Sequence, residues 1–431
     1  MQRSIIAPAE RVTNLRWGIA LLLGIGILIS SIDRIDLTVA GSALSHEFGL
    51  HLETLGYLFG AYGVTYAIAQ IPAGVLIDRC GVTLVGRMAA LASSLFALLG
   101  AAAGSFGMLV GANLALGLGN APAYPLSAKA TGSWFPVGER STATAVFDAG
   151  AKLATAIGMP LLSLIVMTHG WRAMFLVTGI VSLLFFGAFV LFYRDPAGDA
   201  RLTHAERQHI SLGGGQADGV PASGALIALL GRAKVWGVTI GFGAYGYAFF
   251  LLLTWLPGYL ASTFGMPVLT TGLYTAIPWL VAALVEVLVG GVLVDALIAR
   301  GKDATRVRKA VLVIGMLLGV SLFGATTTHD PNVAIAYITL ALSGLAVAAP
   351  VAWSLPSLIA PRGTVGTLSA IMNFANIVMA FVAPIVAGHI VASTGSFTNV
   401  LLTAAAALIA GVLSYVFLLG RIEPIANLEQ A

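Results

Sequence analysis

A chain of 431 residues with 58% hydrophobic and only 9% charged side chains cannot cover a soluble surface, which calls for roughly a quarter charged residues. The net charge of +4 does not point to nucleic acid, because the basic residues sit in short stretches between apolar runs. Cys80 is the single cysteine, so an internal disulfide and a thiolate metal cluster are both excluded.

Apolar runs long enough to cross a bilayer recur along the chain. They predict an all-α membrane protein with twelve transmembrane helices, at 17–44, 53–78, 83–103, 106–130, 140–168, 172–193, 234–262, 269–298, 308–327, 331–359, 363–393 and 397–420. Arg3, Arg11 and Arg16 precede the first run. That run is too long for a signal-peptide core and is expected to stay as the first helix.

Inside it stand Asp33, Arg34 and Asp36. Each costs about 2.5–3.5 kcal/mol near a helix centre on insertion scales, and such residues face a cavity or a partner. Asp33 and Asp36 are three apart and share a helix face. Two close carboxylates in low dielectric resist ionising together, which suits a proton carrier. Arg34 points about 100° away and is a candidate to bind an anion. The alternative is a structural ion pair that fixes helix packing.

Gly74-Val75-Leu76-Ile77-Asp78 closes the second run, and Gly291-Val292-Leu293-Val294-Asp295 closes the eighth. The repetition implies two six-helix halves related by an axis along the membrane normal. Asp78, Arg79 and Asp295 are read as an inter-helix gate at those ends. In the fourth run Asn113 and Asn120 are seven apart, with Tyr124 one turn further. They offer donors and acceptors without charge. In the fifth run Asp148 and Lys152 are four apart, acid first. They either neutralise each other or offer Lys152 as a second cation for an anion. Glu286 has apolar neighbours along its own helix and is a packed glutamic acid or a reserve proton site. Asn373 and Asn376 supply amides in the eleventh run, for a ligand or for helix linkage.

The stretch 195–233 is the longest polar interruption and divides the chain into halves at 1–194 and 234–431. Gly213-Gly214-Gly215 and Pro221 break structure there, and Thr203-His204-Ala205-Glu206 fits a capping box for one short surface helix. Lys and Arg cluster on the linker side of the membrane and only Arg172 lies opposite, which places both termini in the cytoplasm. In a bacterium this would be the inner membrane. His46, His51, His204 and His209 are read as solvated, and Trp17, Trp134, Trp171 and Trp236 as an interfacial belt.

Several motifs together resemble the major facilitator superfamily, and within it the anion:cation symporter family of sugar-acid permeases and vesicular glutamate and sialic acid transporters. They are Asp33-Arg34 with Leu37; Tyr66 before Gln70-Ile71-Pro72; Gly74 to Gly81; Ala121-Pro122-Ala123-Tyr124-Pro125 followed by Trp134-Phe135-Pro136; Trp255-Leu256-Pro257; and Asn373-Phe374-Ala375-Asn376 with Pro384. The resemblance implies that Arg34 binds a substrate carboxylate, that Asp33 couples protons, and that Tyr66 and Asn373 touch substrate. It also implies an arginine and a glutamate in the fourth span, where this chain has Asn113 and Asn120.

The expectation is a secondary transporter of a small organic anion, a carboxylate such as a sugar acid or aromatic acid, in symport with protons. The alternative is a proton-independent exchanger or exporter. The expected substrate set is Arg34, Tyr66, Asn113, Asn120, Tyr124, Lys152, Asn373 and Asn376, and the proton set is Asp33, Asp36 and Glu286. A lipid-embedded monomer is expected, with no enzymatic activity, no cofactor, no metal and no nucleic-acid partner.

Overall fold

The computed structural model describes residues 13–50, 52–215, 224–394 and 397–425. Arg3, Arg11, His51 and Pro221 lie outside them. Helices and their connecting turns account for the described residues, with no strand among them. The first half holds α1 (Leu15–Phe48), α2 (Leu52–Cys80), α3 (Val82–Ala101), α4 (Phe106–Asn120), α5 (Ala123–Trp134), α6 (Arg140–Leu153) and α7 (Met159–Phe192). Two short helices, α8 (His204–Leu212) and α9 (Ala225–Leu230), occupy the linker. The second half holds α10 (Ala233–Phe264), α11 (Val268–Val285), α12 (Val294–Ala299), α13 (Ala304–Gly319), α14 (Pro331–Ile359), α15 (Val365–Thr394) and α16 (Phe397–Phe417).

Ten helical runs among the described residues are long and apolar enough to cross a membrane. One of them, Arg140–Phe192, is 53 residues long. It reverses at Gly170, whose φ of 85° and ψ of 169° suit a residue without a Cβ, so it holds two spans. The remaining span is α4 plus α5, interrupted at Ala121-Pro122. Pro122 has no N–H to continue the ladder, and the break leaves the α4 and α5 segments each too short to span alone. The bundle is therefore two sets of six spans, as the repeated motif implied.

Two spans carry π-helical turns instead of continuous α-helix. Ala154–Gly158 joins α6 to α7, and Glu286–Leu293 joins α11 to α12. The halves meet where α2 lies along α15, where α6 lies along the Glu286–Leu293 turn and α14, and where α5 fits between α14 and α15. Close approach there depends on glycine. A Cβ on Gly74 would sit 2.5 Å from both the Ala370 Cβ and the Gly366 carbonyl, and one on Gly291 2.9 Å from the Thr142 Cα.

The linker is more built-in than a surface helix. Thr203 caps α8 by accepting from the Glu206 N–H at 3.2 Å. The Glu206 side chain does not return to the cap, however. It accepts from Thr13 Oγ1 and from Arg16 Nη1 (3.0 Å), and Arg16 Nε also reaches Glu139 Oε2 at 2.7 Å. Partial burial pushes Glu139 up, yet Arg16 and His209 outweigh it and hold the carboxyl below the usual range. His209 is thus paired with Glu139 (2.9 Å) instead of freely solvated. Ile210 of α8 is buried and joins the apolar core. Trp134 is buried outright, so it belongs to this packed end and not to an interfacial belt.

Candidate functional site

Arg34 lies deep in α1, half-buried, and makes no hydrogen bond or ion pair among the described residues. The phenols of Tyr62, Tyr66 and Tyr124 are within electrostatic range of its guanidinium. Thr38 and Ser42, one and two turns toward the end away from the linker, are exposed on the same helix face. A polar stripe therefore leads from that far end down to a guanidinium without a partner.

Asp33 and Asp36 turn the other way, into the first half. Asp36 Oδ2 accepts from Thr178 Oγ1 at 2.8 Å, and Asp33 Oδ1 accepts from Ser182 Oγ at 3.4 Å. Thr178 and Ser182 are four apart, so two turns of α7 match the two acids of α1. Asn120 Nδ2 donates to Asp33 Oδ2 at 3.4 Å. Asp33 lines a cavity of about 60 Å³ inside this half, together with Ser30, Ser93, Asn120, Ser127 and Ser182. The lining is mainly apolar with these polar groups set into it, and the cavity is large enough to hold water. Asn113 is occupied elsewhere, donating to the Leu58 carbonyl at 2.8 Å.

The amides of α15 reach across the halves. Asn373 Nδ2 donates to Gln70 Oε1 (3.0 Å) and to the Tyr66 hydroxyl (3.4 Å), and Asn376 Nδ2 donates to Asn373 Oδ1 (3.3 Å). Gln70 Nε2 in turn donates to the Ala121 carbonyl at 2.9 Å, the carbonyl freed by the α4–α5 break. Gln70 is the member of this network that residue-by-residue reading left out. Its position directly before Ile71-Pro72 was the available signal. Below Arg34, toward the linker end, Tyr124 stacks on Trp353 at 4.7 Å, with Phe147 and Phe242 edge-on to the same indole.

Lys152 is not open to the space between the halves. Its Nζ lies 2.6 Å from Asp148 Oδ2 and 2.9 Å from Glu286 Oε2. The three are 1%, 3% and 0% exposed. Spacing along the chain offered the Asp148–Lys152 pair and a separate Glu286; the fold joins them across the halves.

At the linker end the two halves are clasped by their repeated acids. Asp78 accepts from the Gly366 N–H (2.9 Å), the Thr367 N–H (2.6 Å) and Thr367 Oγ1 (2.7 Å), with Lys129 3.4 Å away. Asp295 accepts from the Thr142 N–H (2.7 Å) and Thr142 Oγ1 (2.8 Å). Each acid thus sits on the first turn of a helix of the opposite half, α15 or α6, where unpaired N–H groups and the helix dipole favour a carboxylate. Arg140 adds a bond to the Ser357 carbonyl at 2.6 Å, and Arg308 one to the Val137 carbonyl at 2.7 Å. Arg79 is exposed and makes no hydrogen bond or ion pair among the described residues. Hydrogen bonds between the halves fall at this end and at mid-depth.

Two six-helix halves clasped at one end around a lone arginine have the build of a membrane transporter, not an enzyme. The chain belongs to the Major Facilitator Superfamily, whose model matches residues 23–384. It is 37% identical over 420 residues to the uncharacterized transporter YybO of Bacillus subtilis (strain 168), with 96% of this chain and 97% of that one covered. The probable galactarate/D-glucarate transporter GudP of the same strain is 30% identical over 440 residues, covering 99% and 96%. Among solved structures, the proton:xylose symporter XylE bound to 6-bromo-6-deoxy-D-glucose has a TM-score of 0.77 at 18% identity, over 96% and 98% of the two chains, a likeness of fold.

Proposed function

We propose that this transporter moves a small organic anion, a carboxylate such as a sugar acid or an aromatic acid, together with protons and by alternating access. The observation that carries this reading is Arg34: a guanidinium deep in a membrane bundle, between the halves, with no carboxylate paired to it. An unpaired cation in that setting is costly unless an anionic ligand completes it. Tyr66, Tyr124, Asn120, Asn373 and Asn376 supply uncharged hydrogen-bonding groups around it. The similarity to GudP supports a sugar acid, and the Tyr124–Trp353 wall supports an aromatic acid. The proton carriers are buried acids from the set Asp33, Asp36 and Glu286.

In this reading the linker end is cytoplasmic, both termini with it, as the Lys and Arg bias supports. The functional unit is a monomer in a bacterial inner membrane, with halves 1–194 and 234–431 rocking about the site while 195–233 tethers them. The conformation described is the one open away from the cytoplasm.

The test is uptake of labelled galactarate, D-glucarate, D-gluconate and benzoate into liposomes holding only this protein. Arg34→Ala should abolish binding of the accepted anion. Arg34→Lys should weaken it about ten- to a hundredfold, because an ammonium cannot reproduce two parallel charge-assisted hydrogen bonds. Wild-type affinity in Arg34→Lys would sink the bidentate role. Asn113 and Asn120, where the resemblance implies charged residues, favour proton-independent exchange as a second reading. Uptake that ignores an imposed pH gradient, alongside normal counterflow, would select it.

A further inference from the structure

Among the described residues, the Asp148–Lys152–Glu286 cluster joins buried, ion-paired side chains across the halves. Asp148 and Lys152 belong to α6 of the first half, and Glu286 to the second. One ammonium serves two carboxylates there, so the cluster carries one negative charge in excess of neutral in a place water cannot reach. Neither Glu286 carboxylate oxygen accepts a hydrogen bond among the described residues, Oε2 meeting the Lys152 ammonium only as an ion pair. A proton on either acid supplies the missing donor and removes the excess charge at once. The remaining neighbours cannot do so. Tyr245 of α10 and Tyr124 of α5 are the other titratable groups facing the cluster, and Phe249 presents a ring face 5.8 Å from Nζ.

The backbone is adapted on both sides of this point. A π-helical turn starts at Ala154, two residues after Lys152, and another starts at Glu286 itself. Such turns add a residue to the helix cycle and re-aim the side chains beside them, and they gather at functional positions. By contrast Asp33 and Asp36 take hydroxyl and amide donors wholly within the first half. Nothing about their surroundings changes when one half moves against the other.

We propose that the Asp148–Lys152–Glu286 cluster is the proton-binding site that couples protonation to the rocking of the halves. The inference deepens the transport reading given above and rests on it for direction. With one proton bound, the cluster is neutral and holds α6 against the Glu286–Leu293 turn. When the proton leaves, Glu286 is left as an excess charge and parts from Lys152. Asp148 and Lys152 then remain as a neutral pair one helical turn apart. The linker end opens and Glu286 meets water. Rebinding of a proton restores the neutral cluster and reverses the sequence.

The experiment needs no substrate. Cys80 is exposed at the linker end of α2 and is the only cysteine, so Arg362→Cys alone completes a spin-label pair across the halves. Distances are measured by pulsed electron resonance on the full chain in lipid nanodiscs, at about pH 5 and about pH 8. Wild type should shift from the short to the long distance as pH rises, by up to about tenfold in population ratio per pH unit for one coupled proton. Glu286→Gln, a permanently neutral stand-in, should keep the short distance at both values. Asp148→Asn carries the same expectation as Glu286→Gln and replaces it if that variant does not fold. No shift in wild type, or a shift kept in Glu286→Gln, would overturn the proposal. Failure of every carboxylate in the uptake assay would reject the transport reading and leave this result standing.

Discussion

Removal of the Lys152 ammonium gives the sharpest energetic test of the buried cluster. Lys152→Met keeps most of the volume and strands two carboxylates, since both Asp148 (2.6 Å) and Glu286 (2.9 Å) lose their cation. Breaking a buried pair from one side costs about 3–5 kcal/mol. A second route gives the same size. If the wild-type cluster already holds one proton, the variant must bind one more to stay neutral. An ordinary carboxylate titrates near pH 4, so holding it protonated at pH 7 costs about 4 kcal/mol. The sign follows from proton uptake on folding: the loss is largest at neutral pH, shrinks by about 1.4 kcal/mol per unit as pH falls, and is nearly gone at about pH 4. Denaturant unfolding of the detergent-purified protein, followed by tryptophan fluorescence, reads the difference. Adding Asp148→Asn should recover most of it. Adding Glu286→Gln instead should recover as much, which a simple pair within one helix would not allow. If Lys152→Met is as stable as wild type, or if only the Asp148 change rescues, the three-membered cluster is wrong.

Three further outcomes are expected. Gly74→Val should force α2 and α15 apart, because even its Cβ meets Ala370 and Gly366 at 2.5 Å; maleimide labelling of a cysteine placed at Ser357 should rise, and unchanged labelling would refute the contact. Asp78→Asn should loosen the linker-end clasp by about 1.5–3 kcal/mol, the worth of hydrogen bonds to a charged group, and Asp295→Asn by a similar amount. Spin-label distances across that end should lengthen in both, more in the double variant, and equal distances in all forms would count against the clasp. Thr203→Ala should destabilise α8 by about 1 kcal/mol through loss of its cap, seen as faster amide exchange over 204–212.

Much of the fold was legible because the bilayer demands long apolar helices and punishes charge, so spans and halves follow from hydropathy alone. The repeated Gly-Val-Leu-x-Asp stretch even located the clasps, though not their receptors, which are backbone N–H groups that any sequence carries. What stayed hidden was contact between distant helices. Glu286 looked solitary because its neighbours in sequence are apolar; its partner lies on α6 of the other half, and the π-helical turn that aims it has no sequence signature here. Trp134 was misjudged for a related reason. Its place near a span end suggests the membrane interface, but the side chain is fully buried in the apolar core. Arg34 and Asp33, adjacent in sequence, were rightly expected to point apart, since successive helix residues diverge by about 100°.

The clasp geometry has a consequence for how this protein can drift in sequence. Asp78 and Asp295 grip main-chain N–H groups of the opposite half, each with a threonine hydroxyl added. Those N–H contacts ask for no particular side chain, yet Gly366 must stay small, since a Cβ there would sit 2.9 Å from Asp78 Oδ1. Each lock is divided between the gene halves, its acid encoded in one and its threonine in the other. Exchange of a whole half between relatives would preserve both locks as long as the incoming half keeps its aspartate and its threonine, so the two halves form an interchangeable pair of parts.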